Sequence, residues 1–145
     1  MNNYHMARSY VRQAEERLRH ASEALETGNY AYVVRQSQEA VELALKAALR
    51  LVGVEPPRWH DVGPVLKANK ERFPRWFREQ VGRFALISRL LRHERETSMY
   101  EDEEMGVPPD ELYGPEDARW ALEQAKLVVG AVVKLLSEWE GLQGS

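Results

Sequence analysis

Cysteine is absent from this 145-residue chain. That absence excludes a disulfide framework, a cysteine-ligated zinc or iron–sulfur site and a thiol nucleophile, and it makes a reducing, cytoplasmic setting the expectation. Long apolar runs are missing as well. A stretch such as Leu127 to Val133 is too short to span a membrane, and the polar N-terminus does not suit a signal peptide, so a soluble protein with no membrane partner is expected. Sustained period-two alternation, internal repeats and low-complexity tracts are all lacking, which leaves no strand candidate. Neither charge sign dominates: 20 Lys and Arg stand against 23 Asp and Glu, a formal net charge of -3 that argues against a uniformly basic coat for nucleic acid.

What the chain does contain is helical grammar. Ala7, Val11, Ala14, Leu18, Ala21 and Leu25 step by four and three residues alternately, with Arg8, Arg12, Glu15, Glu16 and Arg19 outside the stripe, and predict a first helix. Gly28-Asn29 tolerates the left-handed backbone of a helix end, and Asn29 is then placed to cap the next helix. Residues 30–52 form that second helix on Val33 or Val34, Ser37, Val41, Ala44, Ala48 and Leu51, and its alanines admit a close neighbour before Gly53 and Pro56-Pro57 close it. Asp61 predicts the cap of a short helix with Pro64 in its first turn. Residues 75–96 read as the third long helix on Trp76, Val81, Phe84, Ile87 or Ser88 and Leu91. Residues 115–140 read as the fourth, on Ala118, Ala121, Ala125, Val128, Val132, Leu135 and Trp139. Between them, residues 96–114 read as one long acidic loop, with Gly106, Pro108, Pro109 and Gly114 as breakers. The expected architecture is all-α: a single domain over 1–145, an up-and-down four-helix bundle with one additional short helix.

The charges are lopsided within that frame. Residues 67–95 hold nine Lys and Arg against three acids, whereas residues 96–117 hold nine acids and no Lys or Arg. Arg83, Arg89, Arg92, His93 and Arg95 form the leading ligand-binding constellation, because residues three and four apart share a helix face. Two readings stand for it. An anion bridges the arginines, or Glu94, Glu96 and the acidic segment satisfy them internally as screened pairs. Glu39, Glu42 and Lys46 present the same choice, either as a surface (i, i+4) pair between Glu42 and Lys46 or as groups that constrain packing. Glu101 to Glu104 are four consecutive acids without the spacing of a calcium loop, so a solvated turn is expected and no metal. Tyr100 and Tyr113 flank that segment, placed either to stack on a base or to anchor the segment to the bundle. Trp59-His60-Asp61 has no adjacent nucleophile and reads as packing and capping. Tyr30, Tyr32, Val33 and Val34 make an apolar patch, either a dimer surface or part of the monomer's core.

Segments in a particular order carry a family resemblance. They are Ala24-Leu25-Glu26-Thr27-Gly28-Asn29-Tyr30, then Gln36 through Ala47, then His60-Asp61-Val62, then Tyr113-Gly114-Pro115-Glu116-Asp117-Ala118-Arg119. Together they resemble the HEPN domain, whose small stand-alone bacterial and archaeal members are related to HEPN toxins paired with minimal nucleotidyltransferases. The resemblance implies a helical bundle that dimerises, a nucleotide or RNA ligand, and a separately encoded small nucleotidyltransferase as partner in a toxin–antitoxin-like pair. In the RNA-cleaving relatives it also implies an Arg, four to six intervening residues and a His. There arginine holds the scissile phosphate and histidine relays the 2'-OH proton.

That spacing is absent. Arg83, Arg89 and Arg92 precede His93 by nine, three and zero intervening residues, and neither His20 nor His60 has an arginine at the required distance. Arg95 and Tyr100 imitate the spacing, but a phenol of pKa about 10 is a poor relay at neutral pH. The Arg-Tyr-Pro element of the stand-alone relatives is here Met99-Tyr100-Glu101, which keeps only the tyrosine. The expectation is therefore a HEPN-like module that binds a nucleotide, RNA or partner, works as a homodimer, needs no cofactor and has no catalytic site. Its rivals are a metal-independent endoribonuclease with a displaced site on His93, Arg89 and Arg92, and a purely structural subunit-binding protein.

Overall fold

The chain folds around its second helix. In the computed structural model, residues 3–58, 61–106 and 108–144 are described, with side chains at all of these except 95–105, 109–110 and 143–144. Seven helices follow one another among the described residues: α1 (Asn3–Glu26), α2 (Tyr30–Leu51), α3 (Val62–Ala68), α4 (Arg75–Arg78), α5 (Val81–Met105), α6 (Pro109–Leu112) and α7 (Pro115–Gly144). A single 3₁₀ turn, Lys70–Arg72, precedes α4.

α2 is central because its sequence is apolar or small on nearly every side, and fourteen of its 22 residues are buried. α1, with only five buried residues, covers one flank. The order of contacts along the helices fixes their directions. Arg50 on α2 reaches Asn3 on α1, and Arg17 on α1 reaches Glu39 on α2, so the two run antiparallel. Tyr4 lies on Trp139 with ring centroids 5.1 Å apart, while Ala21 and Ala118 share a cluster, so α7 is also antiparallel to α1. Arg92 of α5 meets Glu42 of α2, and further along α5 Glu94 lines a cleft with Val34 and Asp117. α5 therefore opposes both α2 and α7, giving the up-and-down bundle expected from the helical periodicities.

Two glycines turn the chain as their neighbours predict. Gly28 and Gly53 each have φ of +79°, a conformation that favours a residue without a Cβ. Around them, Asn29 N–H donates to Ala24 at 3.0 Å and Val54 N–H donates to Leu49 at 2.9 Å, closing the orphan carbonyls of α1 and α2. Asn29 occupies the position before α2, but its side chain makes no capping hydrogen bond, which corrects the role expected of it. Asp61 does cap α3, accepting from Gly63 N–H at 3.1 Å, and Pro64 falls in the first turn of that helix.

Two expected elements are different in the structure. The third long helix is split: α4 ends at Arg78, and Gln80 bonds back to Trp76 through its side chain and to Phe77 through its backbone before α5 begins. The offset lets Phe73, Phe77 and Phe84 pack as one buried aromatic group, with neighbouring centroids 4.6 and 5.6 Å apart. The 96–114 segment is not one long loop. α5 continues through its acidic residues to Met105, and the chain turns at Gly106, with φ of +67°, before the short α6. Glu and Met favour helix, and no Gly or Pro stands between Arg83 and Met105 to stop it.

Candidate functional site

α5 buries Val81, Phe84, Ala85, Ile87, Ser88 and Leu91 against the bundle, and the 3.6-residue turn then decides where its charged residues go. Arg83, Arg89 and His93 are exposed. Between them lie Leu86 and Leu90, 44% and 39% exposed. The outward face of α5 is thus an apolar ridge edged by basic side chains. Arg83 and Arg89 make no ion pair or hydrogen bond with any described residue.

Arg92 does not belong to that face. It is half-buried, and its Nη1 lies 3.4 Å from Glu42 Oε1 on α2. Arg92 is thus paired with Glu42, a partner on another helix that the sequence does not suggest, whereas Arg83 and Arg89 have no such partner among the described residues. Glu42 pairs across to α5 rather than along its own helix to Lys46, and Glu39 pairs with Arg17 of α1 at 3.2 Å. The two carboxylates of α2 thus tie the central helix to a neighbour on either side. Arg95 and Tyr100 lie on the backbone of α5 with side chains outside the described residues, and Trp59 and His60 lie outside the described residues altogether.

On one flank of the ridge, α3 packs against α5 and leaves a cleft of about 150 Å³ walled by Asp61, Lys67, Gly82, Leu86 and Arg89. The helices come close there because Gly63 has no side chain: a Cβ would stand 3.3 Å from both the Cβ and the carbonyl oxygen of Ala85. Ser88 Oγ donates to Asp61 Oδ1 at 3.1 Å, so the carboxylate that caps α3 also ties it to α5. Lys67 is a charged residue of this cleft that the sequence does not single out. Its only sequence signal is membership of the basic block, because 22 positions separate it from Arg89.

A second cleft, about 180 Å³ between α2, α5 and α7, is lined by Tyr113, Trp120 and the carboxylates Glu94, Glu116 and Asp117, a charge that does not suit an anion. Tyr113 Oη donates to the Glu94 carbonyl at 2.8 Å, which anchors the segment before α7 to α5. Asp117 accepts from Gly114 N–H at 2.9 Å and so fastens the entry to α7. The Tyr30, Tyr32, Val33, Val34 patch is largely internal: both valines are buried and both tyrosines half-buried. Among the described residues, no group of three or more His, Asp or Glu could hold a metal ion, and no helix is long and apolar enough to cross a membrane.

The model of the HEPN domain family matches residues 7–136, from Ala7 on α1 to Leu136 on α7, and so reaches all four long helices. The chain belongs to the HEPN family. No curated protein and no solved structure matches it. Within this HEPN bundle α5 is the third long helix, the one where the RNA-cleaving relatives are expected to carry Arg, four to six residues and His, and here that helix has the spacing described above instead.

Proposed function

We propose that this HEPN domain is a binding module without the ribonuclease pair, presenting the outward face of α5 to a nucleotide or RNA. We further propose that it does so as a homodimer, with a small nucleotidyltransferase as its protein partner in a toxin–antitoxin-like pair. The observation that carries the ligand reading is the pair of exposed arginines, Arg83 and Arg89, with no acidic partner among the described residues, beside Leu86 and Leu90. Unpaired guanidinium groups bind phosphate by charge-assisted, bidentate hydrogen bonds, and exposed apolar side chains between them accept base or protein surface. Two copies joined over the leucine ridge would remove Leu86 and Leu90 from water and bring two sets of arginines to the edges of one groove. The nucleotidyltransferase partner rests on the family resemblance.

The test is binding of a single-stranded oligoribonucleotide at low salt by the wild type and by the Arg83→Ala, Arg89→Ala double variant. Loss of two phosphate contacts should flatten the log–log salt slope by about 1.4, at about 0.7 per contact for a single strand. Equal affinity and equal slope would refute the reading. Sedimentation of Leu86→Lys tests the dimer, which should dissociate, and co-purification with a co-expressed nucleotidyltransferase tests the partner.

One observation supports a second reading. His93 is exposed on α5 one turn beyond Arg89, which keeps an endoribonuclease with a displaced Arg and His pair chemically intelligible. Incubation of RNA with the wild type and with His93→Ala decides it. Cleavage that His93→Ala abolishes would favour the enzyme, and equal results from the two proteins would remove His93 from the chemistry.

A further inference from the structure

The outward face of α5 accounts for Arg83 and Arg89 but not for the cleft on its flank. That cleft joins two elements remote in sequence, and its chemistry is mixed in a way that narrows what fits. Lys67 of α3 and Arg89 of α5 supply two positive charges, both from exposed side chains, while Asp61 supplies one negative charge. Asp61 Oδ1 already accepts from Gly63 N–H and Ser88 Oγ, and its other oxygen makes no hydrogen bond with a described residue.

Gly82 forms part of the wall, and a Cβ there would meet nothing within 4 Å, so the cleft is open at the helix backbone. Its volume of about 150 Å³ is that of roughly five waters at 30 Å³ each, room for a phosphate group and part of a sugar. Leu86, 44% exposed, gives the outer edge an apolar surface.

We infer that the α3–α5 cleft is a ribonucleotide seat, in which Lys67 and Arg89 hold one phosphate and Asp61 accepts a hydrogen bond from a ribose hydroxyl. The inference rests on the nucleotide or RNA reading above and adds a site to it. The charge pattern is the reason for the sugar. A bare phosphate is attracted by two cations but repelled by the Asp61 carboxylate, whereas a phosphate ester carrying a hydroxyl donor satisfies all three groups. Arg83 is excluded from the seat by geometry, since six residues at 3.6 per turn place it about 120° around α5 from Arg89.

The experiment titrates the full-length protein with a short fluorescein-labelled oligoribonucleotide, with the matching oligodeoxyribonucleotide and with inorganic phosphate, using wild type, Lys67→Ala, Lys67→Arg, Asp61→Asn and Arg83→Ala. Thermal melts first establish that each variant is folded. Lys67→Ala is expected to weaken RNA binding about tenfold, the scale of one hydrogen bond between charged groups, and Lys67→Arg to restore most of it. Wild type should bind RNA better than DNA, and Asp61→Asn, which keeps an acceptor oxygen for Gly63 and Ser88, should narrow that difference. In amide NMR spectra AMP should shift Gly63, Lys67 and Gly82, while phosphate alone should not.

If Arg83→Ala weakens RNA binding and Lys67→Ala does not, the cleft is wrong while the outward-face reading stands. If the wild type binds no RNA at low salt, both fall. Equal RNA and DNA binding by the wild type, unchanged in Asp61→Asn, would overturn the role given to Asp61.

Discussion

Arg92→Ala should cost stability and spare ligand binding, the reverse of what Arg89→Ala should do. Arg92 and Glu42 keep 30% and 27% of their side-chain surface and stand 3.4 Å apart, so the pair lies between two measured extremes. Exposed pairs couple by about 0.2–1 kcal/mol, and breaking a fully buried pair costs about 3–5 kcal/mol. Partial burial puts the coupling at the upper end of the exposed range, about 1 kcal/mol. Arg92→Ala also loses the contacts of the arginine stem, which brings the single-variant cost to about 1–2 kcal/mol.

Urea unfolding of wild type, Arg92→Ala, Glu42→Ala and the double variant gives that coupling as a double-mutant cycle, valid if the four slopes agree. For a domain of this size the single variant should lower Tm by roughly 3–8 °C. Two results would refute the reasoning. One is a coupling indistinguishable from zero. The other is Arg92→Ala at unchanged stability weakening RNA binding as much as Arg89→Ala.

Three further outcomes are expected. Gly63→Ala should destabilise by about 1 kcal/mol or more, because the new Cβ would press on Ala85 at 3.3 Å and outweigh the better helix propensity of alanine; a higher urea midpoint would mean that α3 has room to move. Ser37→Ala should leave stability unchanged or raise it, since the Ser37 hydroxyl is fully buried with no hydrogen-bond partner among the described residues; a loss above about 1 kcal/mol in the same assay would show that the hydroxyl is satisfied. The hydrogen bond from Tyr4 to the Glu140 carboxylate, with a smaller contribution from desolvation, raises the phenol above its ordinary pKa of 10.0. A raised folded value stabilises fully below pH 10 and is lost as pH climbs through the folded value, so melting temperature should fall above pH 10 by less in Tyr4→Phe than in wild type. Identical alkaline profiles would contradict a raised Tyr4 in the folded state.

The helices were legible because they are local. Ala7, Val11, Ala14 and Ala21 are buried, as are Val81, Phe84, Ile87, Ser88 and Leu91, so the 3.6-residue period named most of the core positions, while Leu18, Leu25 and Trp76 are only half-buried and the fully buried Phe77 lies outside the expected stripe. The end of α5 differs from the loop its composition suggests, and the reason is physical. The apolar stripe stops near Leu91 and acids follow, which resembles a loop by composition, but the helix continues until Gly106 because nothing before it breaks the backbone. The split between α4 and α5 has no comparable local signal and follows from seating Phe77 and Phe84 in one core.

Four long helices, their glycine turns, the α3 cap and the missing Arg and His spacing are all set by neighbours within a turn or two. Packing between helices sets which charges stay free. Arg89 and Arg92 look equivalent along the chain, yet one faces solvent beside Lys67 and the other meets Glu42, 50 positions away in sequence. A charge's partner depends on which helix packs opposite it, and the period of its own helix carries no record of that neighbour.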